Sequence, residues 1–166
     1  MTSKLLILLL SLGLTLTSTV SLGQTESETL VFINSKLHSC QSSFPRPDGS
    51  KAPMKWHISK GVFNQADVFI VELHSDAPIS NYKFNAENII DILETRASNG
   101  NLNIRIVDKQ SSILHTSYLT DETQWVHELN LVLNCEDEEI RRIIKAFRHL
   151  AEINGATLPD EELFND

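Results

Sequence analysis

Three side chains offer the sharpest chemistry in this chain. His57 lies in "MKWHISKGVF", Glu72 and His74 lie in "DVFIVELHS", and "NQAD" separates the two runs. Two imidazoles and a carboxylate form a ligand set that zinc accepts. Pairing the runs as a hairpin centred between Gln65 and Ala66 puts His57 directly opposite His74, with Glu72 two residues away on the same face. The competing reading is a solvated sheet face with ordinary surface histidines. Glu72 would have to swing inward, and no neighbour that would orient the imidazoles can be named.

Cysteine offers less. A Cys-His nucleophile needs a thiolate held beside an imidazole, and His38 lies two residues from Cys40 at the end of a predicted helix, a spacing that turns the side chains apart. Cys40 and Cys135 are the only two cysteines. A disulfide between them would close a loop of about 95 residues, and two separate buried thiols are the alternative. No G-x-S-x-G pattern occurs. His115 and His127 fit more than one hairpin register and define no ligand set. Trp56 beside His57 and Trp125 beside His127 raise an aromatic ligand patch, against the plainer reading of tryptophans in the core or rim of a small barrel. No cofactor is expected.

The elements that must position these residues follow from periodicity. Thr25-x-x-Glu28 is a capping box ahead of Leu30, Ile33 and Leu37 at helical spacing, which predicts a helix from Ser27 to His38. "QSSFPRPDGSKAP" holds three prolines and a glycine and is expected to be an irregular connector. In the hairpin, Trp56, Ile58 and Val62 share a face with Phe69, Val71 and Leu73, while His57, Ser59, Glu72 and His74 point the other way. Lys60 and Ile70 break the pattern. Tyr82 to Phe84 leads into "ENIIDILE", which reads as a bent strand, and "NLNIRIVD", "SILHTSYL" and "WVHELNLVLN" follow as strands, with "SNGN" from Ser98 to Asn101 as a hairpin-type turn. The last strand alternates Leu129, Leu131 and Leu133 with Asn130, Val132 and Asn134.

"NCEDEEIRRIIKAFRHLAEINGA" is the most regular stretch. Glu136, Asp137, Glu138 and Glu139 crowd the positive end of a helix. Ile140, Ile143, Ile144, Phe147, Leu150 and Ala151 form one stripe, Arg141, Arg142, Lys145 and Arg148 take the remainder, and Asn154-Gly155 signals a left-handed end. This helix is expected to close the fold and to leave its basic face in solvent.

The ends and the charge bound the function. "MTSK" followed by "LLILLLSLGLTL" has the length of a signal peptide and is too short to span a bilayer. Ser21-Leu22-Gly23 places small residues where a signal peptidase needs them, so residues 1–23 are read as a signal peptide cut before Gln24. Ser18 to Ser21 is a less clean alternative. The chain of 166 residues carries 14 Lys and Arg against 22 Asp and Glu, a net charge of −8, and loss of Lys4 with the leader makes it −9. Such a charge disfavours nucleic acid and anionic lipid. Residues 24–156 suit a single globular domain. Residues 157–166 form an acidic tail in which Asp160, Glu161, Glu162 and Asp166 surround Leu163 and Phe164, either folding back over the barrel or free to dock on a partner.

An N-terminal helix, about six or seven strands without crossover helices, and a terminal amphipathic helix predict an α+β fold. The expected form is an antiparallel barrel or curled sheet. The order resembles a pleckstrin-homology-like (PH-like) barrel, whose last helix plugs one open end. "LVFINSKL", the final strand running into "CEDEEIRRIIKAFRHLAEINGA", and the acidic tail with Phe164 near its end resemble a group of small uncharacterised exported bacterial proteins with a PH-like domain. That resemblance implies the fold and carries no activity or catalytic residue. Phosphoinositide-binding PH domains use basic residues around their first hairpin loop, which here reads "FNQAD", so headgroup binding is not implied.

The expectation is a non-enzymatic, secreted or periplasmic binding domain, without a stable membrane anchor, whose partner is a protein or small molecule. A metal-binding protein or metal-dependent enzyme using His57, His74 and Glu72, and a carrier of a small apolar ligand, are the alternatives.

Overall fold

A computed structural model describes residues 24–96 and 102–160. The signal-peptide reading, the "SNGN" turn and the tail from residue 161 onward lie outside the described residues.

Helix α1 (Glu26–Ser39) begins at the predicted capping box. The Thr25 amide donates to Glu28 Oε2 at 2.8 Å and the Glu28 amide donates to Thr25 Oγ1 at 3.3 Å. Ile33 and Leu37 are fully buried, and α1 packs on the last helix and on strand β2.

Strand β1 (Ser42–Pro45) lies within the segment expected to be irregular. It pairs with the start of β2 (Lys51–Phe63), from Ser42 opposite Met54 to Pro45 opposite Lys51. Its one proline, Pro45, is tolerated because β1 is an edge strand, and Pro53 sits where β2 has β1 alone as neighbour, since pairing to β3 starts at Lys55. Gly49 takes φ +81° in the connecting turn, where Asp48 accepts from the Ser50 amide at 2.9 Å.

β2 and β3 (Ala66–His74) are joined by Asn64 and Gln65, both at positive φ. Two such residues make the tight turn that matches strand twist. The register therefore differs from the expected one: His57 stands opposite Glu72, and His74 opposite Lys55. The slip is two residues, so the division of side chains between faces is unchanged. Of the two exceptions, Lys60 reaches Glu26 of α1 at 3.0 Å; Ile70 belongs to an outer row described below.

β4 (Pro78–Phe84) continues this sheet, and after a 3-10 turn (Ala86–Asn88) the chain enters β5 (Ile89–Arg96), the predicted bent strand, irregular between Ile89 and Asp91. β6 (Leu102–Asp108) pairs with β5. β7 (Ile113–Ser117) returns to the first sheet and β8 (Glu122–Val126) follows it. "WVHELNLVLN" is thus two strands. It breaks at His127, and β9 (Glu128–Val132) joins β6. The nine strands among the described residues, rather than six or seven, form a curled half-barrel in the order β1-β2-β3-β4-β7-β8 and a smaller sheet β5-β6-β9, all antiparallel.

The chain changes sheet three times, and the crossings are tied together. Buried Asp108 accepts from the amides of Gln110 and Ser112 at 2.8 and 2.7 Å, the Asp108 amide donates to the His127 carbonyl at 2.9 Å, and the Lys109 amide donates to that of Asn88 at 2.9 Å. These bonds satisfy backbone groups that leave one ladder before joining another.

Helix α2 (Asp137–Ile153) buries the predicted stripe against β5, β6 and α1. It ends in a Schellman motif: Gly155 has φ +95°, its amide donates to Glu152 O at 3.0 Å, and the Ala156 amide donates to Ala151 O at 3.0 Å. Burial of the stripe contributes on the order of 10 kcal/mol before conformational entropy is set against it. The expectation of a solvated basic face fails at Arg148, which is buried. Its Nη1 lies 3.4 Å from Asp91 Oδ1 and its Nη2 donates to the Pro159 carbonyl. Leu158 packs against the core, so the start of the tail is part of the fold.

Cys40 caps α1 and Cys135 precedes α2, and the two form a disulfide with their Cα atoms 5.0 Å apart. The Asn134 amide donates to the Cys40 carbonyl at 3.0 Å alongside it. A disulfide fits an oxidising compartment. No helix among the described residues is long and apolar enough to cross a membrane.

Candidate functional site

The half-barrel carries chemistry on both faces and at one edge. On its outer face His57, Glu72, Asn81, Thr116 and Thr123 stand in one row across five strands. His74 Nε2 is 3.6 Å from Glu72 Oε2, a contact on half-exposed side chains. Among the described residues no three His, Cys, Asp or Glu side chains come together as a metal-ligand group. The register explains this. His57 faces Glu72 across the strands, while His74 sits two pairs further along, opposite Lys55. Thr116 and Thr123 bring their hydroxyls to 3.2 Å, and Asn81 Nδ2 donates to the phenol oxygen of Tyr118. The Asn81 Oδ1 atom is buried without a hydrogen-bond partner among the described residues.

The next outer row is Ser59, Ile70, Lys83, Leu114 and Trp125. Ile70 is therefore the first apolar member of a row that ends at Trp125 on the last strand. Lys83 Nζ lies 5.1 Å from the centre of the Phe63 ring, so its stem covers the apolar surface between them.

On the inner face Ile58, Val71, Tyr82, His115 and Gln124 form a row. Tyr82 and His115 stack at 4.4 Å between centroids, and Trp56 lies 6.4 Å from Tyr82. Burial lowers the His115 pKa from its ordinary value, so the neutral imidazole is favoured. Burial also raises that of the Tyr82 phenol, against a hydrogen bond from Ser80 that lowers it. Trp56 is buried and donates its indole N–H to the Val132 carbonyl at 3.1 Å, the core reading of that residue. Ser80 and Lys83 have an S-x-x-K spacing, but three residues apart on a strand they point to opposite faces and make no catalytic pair.

The apolar interior is filled. The cavity enclosed by Ile58, Phe69, Phe84, Ile106 and Phe147 measures about 10 Å³, room for no more than one water and far below what an apolar ligand needs. Cys40 is oxidised and His38 Nδ1 is 3.1 Å from Gln41 Nε2, so no Cys-His pair forms.

The edge strand β8 is the least covered element. Glu122, Thr123, Gln124 and Trp125 are all exposed, whichever face they point to, and among the described residues β8 pairs only with β7. Trp125 is 58% exposed; Tyr118 and Leu119, in the turn between the two strands, are 49% and 76% exposed. Leu119 and Trp125 thus stand at the two ends of a row of backbone donors and acceptors that is unshared among the described residues, on a hairpin whose turn also carries Asp121, whereas Tyr118 turns toward β4, its amide donating to Ile79 O at 2.9 Å and its phenol oxygen accepting from Asn81. Tyr118, Leu119 and Asn81 were not singled out from sequence. The available signal was "TSYLTDETQW", two strand-like runs around a turn in which Asp121 takes positive φ.

Comparison of the chain with family models, curated proteins and solved structures finds no match.

Proposed function

We propose that this chain is exported with removal of residues 1–23 and acts outside the cytoplasm as a non-enzymatic binding domain on a PH-like scaffold. It takes an extended segment of a protein partner along β8. The observation that carries this reading is the β8 edge, unpaired among the described residues, with Trp125 exposed beside it. A strand added there pairs its backbone with β8 and packs alternate side chains against Trp125. The charge selects the partner. Asp121 and Glu122 flank the edge of a protein whose mature net charge is −9, so the bound segment is cationic and places Lys or Arg over the indole face. A second copy of the same acidic chain is disfavoured by the same charge.

The Cys40–Cys135 disulfide supports the export reading. The filled interior argues against an apolar carrier, and the separation of His57 and His74 argues against zinc.

Random peptides of about ten residues, selected on the disulfide-closed mature protein, test the proposal. Selected sequences are expected to alternate basic with apolar residues. Trp125→Ala is expected to weaken them by roughly 30-fold or more, the loss of about 2 kcal/mol typical of a packed tryptophan anchor. Equal affinity for the Trp125→Ala protein overturns the assignment.

A further inference from the structure

Gln24 is the residue at which the proposed export cut and the folded domain meet. It is exposed, and its carbonyl accepts a hydrogen bond at 2.9 Å from His149 Nε2, near the end of α2. From the next residue onward the chain is held: the Thr25 amide and hydroxyl both donate to Glu28 Oε2, at 2.8 and 2.9 Å. Nothing in the fold holds the Gln24 nitrogen or side chain in a hydrogen bond among the described residues.

Cutting before Gln24 creates an α-ammonium two residues ahead of the first helical residue, Glu26, where the positive end of α1 disfavours a cation. The nearby carboxylates are already engaged, Glu26 with Lys60 at 3.0 Å and Glu28 with Thr25. The same cut puts a primary amine within five-membered-ring reach of the Gln24 carboxamide.

We infer that the mature N-terminus is a pyroglutamyl residue, an inference that rests on the export reading above. In the ring closure the Gln24 α-nitrogen bonds to Cδ, the Cδ–Nε2 bond breaks, and ammonia leaves carrying the displaced nitrogen and the amine proton. No oxidant or reductant takes part. The atoms that change are those the fold leaves free, and the atom it holds, the Gln24 carbonyl oxygen bound by His149, is untouched. The lactam removes the terminal cation from the helix end and closes the chain to aminopeptidases.

Mass spectrometry of the N-terminal peptide decides it, on protein freshly recovered from the exporting cell's medium or periplasm without an N-terminal tag. A predominant species beginning at Gln24 and lighter by one ammonia, about 17 Da, is expected. Gln24→Ala should be cut at the same place, keep its amine, show no such loss and become sensitive to aminopeptidase. A peptide beginning at Gln24 with a free amine, or closure that appears only on storage, overturns the modification and leaves export standing. A peptide that begins elsewhere or retains residues 1–23 overturns the export reading, and the modification with it.

Discussion

Reducing the Cys40–Cys135 disulfide is expected to cause a large loss of stability in this fold. The bridge spans a sequence separation of 95 residues, joining the end of α1 to the start of α2. In the chain-entropy treatment a loop of that length restricts the unfolded ensemble by about 4.7 kcal/mol, an upper figure because unfolded chains retain structure. With an unfolding entropy of about 2.1 cal/mol/K per residue over the roughly 140 residues of the domain, that loss lowers Tm by roughly 10 to 16 °C. Urea titrations of oxidised and reduced protein should also show a larger m-value on reduction, since the opened unfolded chain exposes more surface. The native state is expected to survive at 25 °C, because Cys40 is buried by packing that does not need the bond and Asn134 still bonds its carbonyl. A Cys40→Ala/Cys135→Ala variant should track the reduced protein. A Tm shift under about 3 °C, with an unchanged m-value, would refute the reasoning.

Replacing Arg148 by Met keeps the packing stem but removes the cation beside the Asp91 carboxylate, whose side chain is 18% exposed and which still accepts from the Ile92 amide at 2.8 Å; a loss of about 1 to 3 kcal/mol is expected in urea unfolding, with Asp91→Asn added to Arg148→Met recovering more than half. A single-variant loss below 0.5 kcal/mol, on the order of an ordinary surface change, would count against a buried pair. His115 gives a pH dependence of known sign: its pKa is depressed in the folded state, so its contribution is complete above the ordinary 6.5 and is lost as pH falls through the lower folded value. Tm should therefore decline from pH 8 toward pH 5, and His115→Phe, which keeps a ring against Tyr82, should flatten that decline; an unchanged slope would assign it to other groups.

The parts of the fold that were legible are those with a local signature. Thr25 and Glu28 mark the start of α1, and the Ile140 to Ala151 stripe with Gly155 marks α2, because caps and stripes are written within one element. The division of side chains between the two faces of β2 and β3 was legible for the same reason. The turn was not, since Asn64-Gln65 lacks the glycine that usually announces two positive φ values, and the register, with His57 opposite Glu72, depends on it. β1 was hidden by Pro45 and by Pro47 just beyond it; Pro45 is harmless only because β1 is an edge, a fact of topology. The break at His127 was invisible because apolar alternation runs through it, while the crossing it makes is dictated by Asp108 some twenty residues earlier. Arg148 read as a surface cation because its partners, Asp91 and Pro159, are distant or in the tail. The exposed β8 edge could not be seen for a related reason: exposure of Trp125 follows from strand order, and a local hint was Ile70 on the mixed outer face.

Hydrogen exchange of the mature protein, free and saturated with a selected peptide, tests the central claim most directly. Strand addition predicts slowed exchange concentrated in the β8 amides from Glu122 to Val126, with little change in β2, β3 or α2. Protection centred on the His57, Glu72 and His74 face or on α2, with β8 exchanging as in the free protein, would contradict it.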